Sequence, residues 1–287
     1  MKRRLVLEFT KMHGAGNDFV VIDNRFYHFN EDRLSALAKT LCHRRLGIGA
    51  DGLLALGAAE EQEEIDFRMR YFNADGSLGL MCGNGARVLS QFAYRSGIEK
   101  PMLTFDTSAG RYRAIVEEDP LIPVKLFMPA FQDYRPDVAI DLASREAAGR
   151  VDYMFTGTQH GVAFVSDLRG FDVAHWGNAL RYDPVFDPHG INMNFVQVLD
   201  PGSPEHAAHL LIRTFEKGVE AETLACGTGA LAAALIAHLQ GKIQSTTVYL
   251  DPQGGRIEVG FRLEEGQITD IYQGGPTTTV FRGSLEL

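Results

Sequence analysis

Short runs of apolar residues alternate with glycine-bounded polar segments along the whole chain. Residues 67–72, 195–199 and 246–250 show the alternation and the β-branched or aromatic content that are typical of strands. Residues 82–97 and 226–241 are predicted to form helices, because each apolar run after a cysteine ends at a glycine. This mixture of elements predicts an α/β fold.

Weaker patterns complete the predicted set of elements. Helices are expected over residues 33–46 and 141–148, the second ending at Gly149. The strand-like residues 277–281 have no counterpart at the end of the first half of the chain. We expect this last strand to return and pair with the N-terminal half.

The frame C-G-x-G-A occurs twice, beginning at Cys82 and at Cys226, 144 residues apart. The similarity extends backward, because M-R-Y-F-N at 69–73 matches I-R-T-F-E at 212–216 at nearly the same distance from the cysteine. Several such pairs in the same order indicate an internal duplication. We therefore predict two domains, residues 1–127 together with 275–287, and residues 128–274.

The composition limits the class of protein. The chain has 287 residues, of which 45% are hydrophobic and 23% are charged, so we expect a globular protein long enough for two domains. A net charge of −9 argues against a nucleic-acid partner bound through a broad basic surface. The longest apolar run, residues 230–237, is too short to cross a membrane.

Cysteine usage and the N-terminus indicate a compartment. The cysteines at positions 42, 82 and 226 are odd in number and form no C-x-x-C pair, which argues against a disulfide framework. The first residues, MKRRLVLEFT, lack the apolar segment of a secretory signal. We expect a reducing, cytoplasmic setting. Cys42 has no glycine-rich context, and we expect it to be structural.

Cys82 and Cys226 stand where helices are predicted to begin. A Cys-Gly-x-Gly start leaves backbone N–H groups uncovered, and these groups together with the helix dipole attract an anion such as a carboxylate. The same position favours the thiolate form of the cysteine. A single cysteine at a helix start is more often a small apolar residue of the core, but the matched pair favours a catalytic role for both cysteines.

Two such helix starts are suited to inverting the configuration of one carbon. One thiolate takes a proton from the carbon, and an opposing thiol gives a proton to the other face. Both helix starts hold the adjacent carboxylate, where they stabilise the charge of the transition state. The scheme requires no cofactor, and it predicts a small-molecule amino-acid substrate.

Other motifs are weaker. Residues 47–52 satisfy G-x-G-x-x-G, but a helix is predicted before them and a strand after them. The dinucleotide fingerprint requires the reverse order, so we reject it. The sequence contains neither G-x-x-x-x-G-K-[ST] nor H-E-x-x-H, so an ATPase and a zinc protease lack support and we predict no metal site.

Polar residues near the two frames are candidate helpers. His160 and Glu216 are candidates to assist a thiol. Turn formation explains many asparagines, but amide groups also suit a zwitterionic amino acid. The candidate amides are those of Asn17, Asn73, Asn84 and Asn192.

Five segments together carry a resemblance to a known family. They are K-M-H-G-A-G-N-D-F at 11–19, G-I-G-A-D at 47–51, F-N-A-D-G-S at 72–77, C-G-N-G-A-R at 82–87 and E-T-L-A-C-G-T-G at 222–229. With them the chain resembles the diaminopimelate epimerases, cofactor-independent enzymes that interconvert LL- and meso-diaminopimelate for lysine and peptidoglycan synthesis. The resemblance runs nearly end to end.

The resemblance implies two pseudo-symmetric domains, each a curved mixed sheet around a central helix, with the active site in the cleft between them. It implies that Cys82 and Cys226 are the acid/base pair, with His160 and Glu216 near the thiols. The residues that it implies for holding the substrate are Asn17, Asn73, Gly83, Asn84, Asn192, Glu216, Lys217, Gly227 and Thr228.

Two departures from the family pattern concern substrate identity more than reaction type. Many members carry Arg where this chain has Lys217, and Lys lacks the planar fork of a guanidinium. The family's G-N-P-H is G-T-Q-H at 157–160, so an asparagine contact is missing at Thr158. Both positions fall where the family recognises the distal end of diaminopimelate.

Two alternatives therefore stay open from the sequence. One is an epimerase or racemase that acts on another amino acid through the same thiol pair. The other is a non-catalytic binding protein that keeps the fold and the anion cradle. The oligomeric state is open as well, a homodimer included.

Overall fold

Two compact units make up the structure, a computed structural model that describes residues 5–60, 64–119 and 121–287. One unit comprises Met1–Leu126 with Gly274–Leu287, and the other comprises Phe127–Gln273. Residues 1–4, which belong to the stretch assessed for a secretory signal, lie outside the described residues. Both units mix strands and helices, so the predicted α/β fold is confirmed.

The first half of the chain forms a mixed sheet with helices. Its helices are α1 (Asn24–Tyr27), α2 (Glu31–Leu41) and α3 (Gly83–Arg95). Its strands are β1 (Val6–Gly14), β2 (Asn17–Asp23), β3 (Gly52–Ala58), β4 (Phe67–Asn73), β5 (Leu78–Gly79), β6 (Leu103–Thr107), β7 (Gly110–Val116) and β8 (Val124–Phe127).

The second half also combines helices with strands. Its helices are α4 (Leu142–Ala148), α5 (Val173–Arg181) and α6 (Gly227–Leu239), with a short 3₁₀ helix at Pro184–Phe186. Its strands are β9 (Gln132–Arg135), β10 (Val151–Phe155), β11 (Gln159–Phe164), β12 (Asn192–Asp200), β13 (Ala208–Glu216), β14 (Ala221–Thr223), β15 (Thr247–Asp251), β16 (Ile257–Glu264), β17 (Gln267–Gly275) and β18 (Thr277–Glu286).

The strand pairings of the two units follow one plan. In the first unit β1 and β2 are antiparallel, β2 and β3 parallel, β3 and β4 antiparallel, β4 and β6 parallel, and β6 and β7 antiparallel. In the second unit β10, β11, β12, β13, β15 and β16 repeat this succession. The duplication predicted from the two cysteine frames is therefore present in the fold, with α3 and α6 in equivalent places.

The last strand belongs to the first unit. β18 pairs antiparallel with β1 from Val6 opposite Glu286 to Gly14 opposite Thr277, with one irregularity between Lys11 and Met12. The N-terminal strand is thereby hydrogen-bonded on both sides, by β2 and by β18.

Helix α6 forms the centre of the core in the second unit. Every residue from Ala230 to Ala237 is buried, so the helix is apolar all round. The apolar run of the sequence is thus a core helix. In the part of the chain that the structure describes, no helix is long and apolar enough to cross a membrane.

Replacing Leu235 by alanine is expected to lower the free energy of unfolding by about 3 kcal/mol, because the side chain is fully buried in α6 and its removal leaves a cavity. Leu239, at the end of the same helix, is 42% exposed, and the same substitution there should cost less than about 1 kcal/mol. Urea unfolding of both variants measures the difference. Equal losses would contradict the central position of α6.

The helix predicted over residues 33–46 was wrong at its C-terminal end, since α2 stops at Leu41. The chain then folds back: the Gly49 N–H donates to the Leu41 carbonyl at 3.0 Å. A Cβ on Gly47 would lie 2.3 Å from the Thr40 carbonyl oxygen, so only glycine fits this return. Leu46, which extended the apolar pattern, is 83% exposed.

Two further comparisons with the sequence follow from these bounds. Residues 47–51 lie between α2 and β3, and Gly52 opens β3, so the predicted order of a helix before this motif and a strand after it is confirmed. Helix α5 was not predicted from the sequence. Its N-cap Asp172 accepts a hydrogen bond from the His175 N–H, so the capping residue was the available signal.

Candidate active site

Cys82 and Cys226 are the N-cap residues of α3 and α6. Both have extended backbone, with φ of −135° and −121°, which places each side chain in front of the first helical turn. The Cys82 Sγ accepts a hydrogen bond from the Gly85 N–H at 3.4 Å. The Cys226 Sγ lies 3.6 Å from the hydroxyl oxygen of Thr228.

Two glycines at the start of α6 are closely approached by neighbouring side chains. A Cβ on Gly227 would lie 2.3 Å from the Oε1 of Gln273, and a Cβ on Gly229 would lie 2.3 Å from the Oδ1 of Asn194. Neither position accepts a side chain unless a neighbour moves. The first turn of α6 therefore has no room for side chains of its own at these two positions, and the first N–H groups of a helix, which lack intrahelical partners, suit a carboxylate.

Two amide side chains lie beside Cys82. The thiol donates to the Oδ1 of Asn17 at 3.5 Å, and the Nδ2 of Asn84 lies 3.5 Å from the same oxygen. Behind Asn84, the fully buried Arg87 donates to the Asn84 Oδ1 at 2.6 Å. Asn84 thereby presents its Nδ2 towards Asn17.

Arg87 also affects Cys82 through its charge. Burial lowers the pKa of Arg87 to about 10, and the neighbouring Cys82 acts in the opposite direction. The guanidinium is charged at neutral pH. Because the interaction is mutual, the cation favours a negative charge on Cys82.

A hydrogen-bonded relay reaches Cys226 from the buried His160. The Nδ2 of Asn194 lies 3.2 Å from the His160 Nδ1, and since an amide nitrogen only donates, this ring nitrogen accepts. The proton of the neutral ring is then on Nε2, which donates to the Thr228 Oγ1 at 3.0 Å. Because Thr228 accepts from His160, its own hydroxyl proton is available to donate to the Cys226 Sγ, 3.6 Å away.

His160 is a neutral group in the folded chain. Burial, with a smaller contribution from the positive charge of Lys217, lowers its pKa to about 3. The ring therefore supplies a fixed dipole and does not itself exchange protons near neutral pH.

This pKa predicts a pH dependence of stability. The unfolded chain binds a proton at His160 below about pH 6.5 and the folded chain only near pH 3, so stability present above pH 6.5 is lost as the pH falls. Between pH 7 and 4.5 the protein should lose about 2 kcal/mol more than the variant His160→Gln.

Urea unfolding of both proteins at the two pH values measures this difference. His189→Gln, at an exposed position, serves as the matched control and should keep the pH dependence of the unsubstituted protein. If the free energy of unfolding falls by the same amount between the two pH values in His160→Gln and in the unsubstituted protein, His160 does not have the lowered pKa.

The end of β13 carries a carboxyl and a cation. Burial raises the pKa of Glu216, whose Oε2 accepts a hydrogen bond from the Thr223 hydroxyl at 2.9 Å. The Lys217 N–H donates to the Asn192 Oδ1 at 2.8 Å, and the Lys217 Nζ donates to the Gln159 Oε1 at 2.7 Å. Burial, and then the charge of Arg181, lower the pKa of Lys217.

The predicted site residues are distributed over both units. In the first unit Asn17, Cys82 and Asn84 are in contact, and Gly83 opens α3 between the last two. Asn73, at the end of β4, is hydrogen-bonded to the Tyr71 hydroxyl at 2.7 Å and to the Ser77 hydroxyl at 2.9 Å.

In the second unit the contacts form two groups. The first group is His160, Thr228 and Cys226, with Gly227 opening α6. The second group is Asn192 and Lys217, with Glu216 preceding the lysine in the chain.

The structure adds residues that the sequence had not singled out. Asn194 orients His160, and Arg87 orients Asn84. A signal for Arg87 was present, because the equivalent position of the second cysteine frame is Leu231 and a buried arginine breaks the duplication. Within residues 5–60, 64–119 and 121–287, no group of three or more His, Cys, Asp or Glu side chains is placed to hold a metal ion.

Comparison with solved structures identifies the fold. A phenazine biosynthesis protein of the PhzF family from Bacillus anthracis superposes with a TM-score of 0.70 at 19% identity, over 99% of this chain and 100% of the other. At this identity the likeness concerns the fold alone.

Sequence comparison identifies the family. The model of the diaminopimelate epimerase family matches residues 9–126 and 153–280. A diaminopimelate epimerase of Flavobacterium psychrophilum is 38% identical over 96% of this chain and 98% of the relative. One from Chlorobaculum tepidum is 39% identical over 96% and 100%. With both cysteine-capped helices inside the matched regions, the chain belongs to the diaminopimelate epimerase family and is an isomerase, an amino-acid epimerase.

Proposed function

We propose that this protein interconverts LL- and meso-diaminopimelate with Cys82 and Cys226 as its two acid/base residues. The observation that supports the mechanism best is the matched pair of helix starts, each with a cysteine as N-cap. The substrate is proposed from the family, because relatives that match nearly the full chain bear the name diaminopimelate epimerase.

In the proposed reaction the two thiols act on opposite faces of one α-carbon. One thiolate takes the α-hydrogen as a proton: the C–H bond breaks, an S–H bond forms, and the electron pair stays on the α-carbon and its carboxylate. The other thiol then gives its proton to the opposite face, and its electron pair stays on sulfur. The configuration is inverted, and thiol and thiolate have exchanged places.

The helix starts supply the stabilisation that a weak carbon acid requires. The first N–H groups of α3 and α6 are proposed to bind the carboxylate next to the reacting carbon, where negative charge builds up in the transition state. The amides of Asn17 and Asn84 are proposed to contact the same end of the substrate. Each thiol would thus act next to the anion site of its own helix.

The relay to Cys226 supports a role for this residue as the base. Thr228 accepts from His160 and directs its own proton at the Cys226 Sγ, which stabilises the thiolate. In the opposite reaction direction, where Cys226 begins as a thiol, the Thr228 hydroxyl remains beside its sulfur. His160 is therefore proposed to assist Cys226 through Thr228.

The distal end of the substrate is proposed to lie near Lys217, whose cation suits the second carboxylate of diaminopimelate. Glu216, which precedes it at the end of β13, is proposed to assist a thiol. The product would then serve as a precursor for lysine and peptidoglycan synthesis.

The test is proton exchange in heavy water. Purified protein, kept reduced, is incubated with LL-diaminopimelate in D₂O. Mass spectrometry should detect deuterium at the α-carbon, and chiral chromatography should detect the meso isomer. If neither appears with protein that is folded and has free thiols, the proposed function is wrong.

A second candidate, an epimerase of another amino acid, is favoured by one observation. The Nζ of Lys217 donates to Gln159, and the Thr158 hydroxyl lies 3.3 Å from the same Gln159 oxygen. This group differs from the arginine and asparagine of the family pattern. A panel of amino acids in D₂O separates the candidates, since faster exchange of a substrate other than diaminopimelate would support the second.

A further inference from the structure

The loop at residues 47–52, which carries the rejected glycine motif, is held firmly behind Asn17. The Gly49 carbonyl accepts a hydrogen bond from the Lys11 Nζ. The Asp51 N–H donates to the Asp18 carbonyl at 2.9 Å, and the Asp51 carbonyl accepts from the Ala74 N–H at 3.1 Å. The backbone of Asp51 is therefore fixed on both sides.

The Asp51 carboxylate determines how the Asn17 amide is oriented. Its Oδ2 accepts from the Asn17 Nδ2 at 2.7 Å and from the Asp18 N–H at 3.1 Å. Its Oδ1 accepts from Arg44 at 2.7 Å. An ionised carboxylate only accepts hydrogen bonds, so the Nδ2 of Asn17 must face it.

The opposite end of the Asn17 amide consequently faces the thiol. Its Oδ1 accepts from the Cys82 Sγ–H at 3.5 Å and lies 3.5 Å from the Asn84 Nδ2. Arg87 holds Asn84 in the orientation that presents this Nδ2. Both amides beside Cys82 are therefore oriented from behind by a charged side chain.

We propose that Asp51 is a positioning residue that favours the protonated form of Cys82 by holding the Asn17 carbonyl oxygen against the thiol. The inference rests on the acid/base role proposed above for Cys82. It gives the two thiols different partners, since the Thr228 hydroxyl lies beside Cys226 while Asn17 directs an acceptor at Cys82, where it opposes the Gly85 N–H and the Arg87 charge.

The direction of the effect follows from hydrogen-bond polarity. An acceptor facing the S–H stabilises the thiol, whereas an N–H facing the sulfur stabilises the thiolate. In the variant Asp51→Asn the new amide can donate, so Asn17 is free to turn its Nδ2 towards Cys82. The ionisable groups that form hydrogen bonds around this end of α3 include Lys11, His13, Asp18, Arg44, Asp51, Tyr71 and Arg87.

The experiment measures the alkylation rate of Cys82 by iodoacetamide against pH, in full-length protein that carries Cys226→Ala. Cys42 does not interfere, because it is buried and burial raises its pKa to about 12. Asp51→Asn should lower the pH midpoint of alkylation by about one pH unit, the size expected for one hydrogen bond. Asn17→Ala removes the acceptor and should lower the midpoint as well.

Combining the two substitutions separates positioning from charge. If Asp51 acts through Asn17, Asp51→Asn has no further effect in protein that carries Asn17→Ala. If it acts by its charge alone, the shift is the same with and without Asn17→Ala, and the proposal is overturned. An unmoved midpoint in both single variants overturns it too.

Arg44→Gln is the matched control for disturbance of the ion pairs. It removes the exposed partner of Asp51 but leaves the Asn17–Asp51 hydrogen bond, so the midpoint should stay in place. Alkylation needs no substrate. The result is therefore independent of whether the protein epimerises diaminopimelate.

Discussion

Replacing Cys82 or Cys226 by alanine is expected to lower the turnover of LL-diaminopimelate by at least about 10³-fold, because each cycle of the proposed mechanism uses one thiol as base and the other as acid. The loss should be nearly the same in both reaction directions, since the two residues exchange roles when the direction is reversed. Both variants should fold, because alanine is smaller than cysteine and Cys82 is only partly buried.

The pattern of α-deuterium incorporation by these variants tests which thiol acts on which stereoisomer. With one thiol left, α-deuteration without inversion is expected only for the stereoisomer whose α-hydrogen faces that thiol. Cys42→Ser, which changes a buried thiol outside both cysteine frames, is the control and should keep activity within about threefold. A single-thiol variant that still forms meso product at more than a tenth of the normal rate would contradict the two-base proposal.

Replacing Thr228 by valine is expected to lower kcat by about 10²-fold, with a smaller effect on KM. Valine has nearly the shape of threonine, so the packing at the start of α6 is kept. What is lost is the hydroxyl that accepts from the His160 Nε2 and points its proton at the Cys226 Sγ. The thiolate of Cys226 then loses its donor, and His160 is left with an unpaired N–H in a buried place.

Thr228→Ser is the matched control, since serine restores the hydroxyl and should recover most of the activity. The pH dependence of kcat for both variants measures the effect on the thiol, and the midpoint for Thr228→Val is expected at higher pH. Equal activity of the valine and serine variants would show that the hydroxyl does not serve Cys226.

Local patterns predicted much of the fold. The helices that follow Cys82 and Cys226 begin where they were expected and end close to the predicted glycines, because apolar periodicity and glycine stops are local properties of the chain. The strand at Phe67–Asn73 was visible for the same reason. The end of α2 could not be predicted, because it depends on how closely Gly47 packs against the backbone of the last helical turn.

The contacts around the candidate site were harder to predict from the sequence. His160 was a candidate helper, but its neutral state depends on burial, and its tautomer depends on the distant Asn194. Asp51 stood in a motif that was rejected for nucleotide binding, and nothing in that motif indicated a contact with Asn17.

The sequence by itself determined the type of chemistry: two duplicated halves, each with a cysteine before a glycine-rich helix start. That much is encoded by neighbouring residues, since a helix start exposes its own N–H groups wherever it is placed. Only the tertiary structure decided what surrounds each thiol. The Asn17 amide reaches Cys82 across 65 positions, and His160 reaches Thr228 across 68. The polarity of these hydrogen bonds is set by Asp51 and Asn194, and side chains so far apart in the chain acquire an orientation only when the strands and helices that carry them have packed.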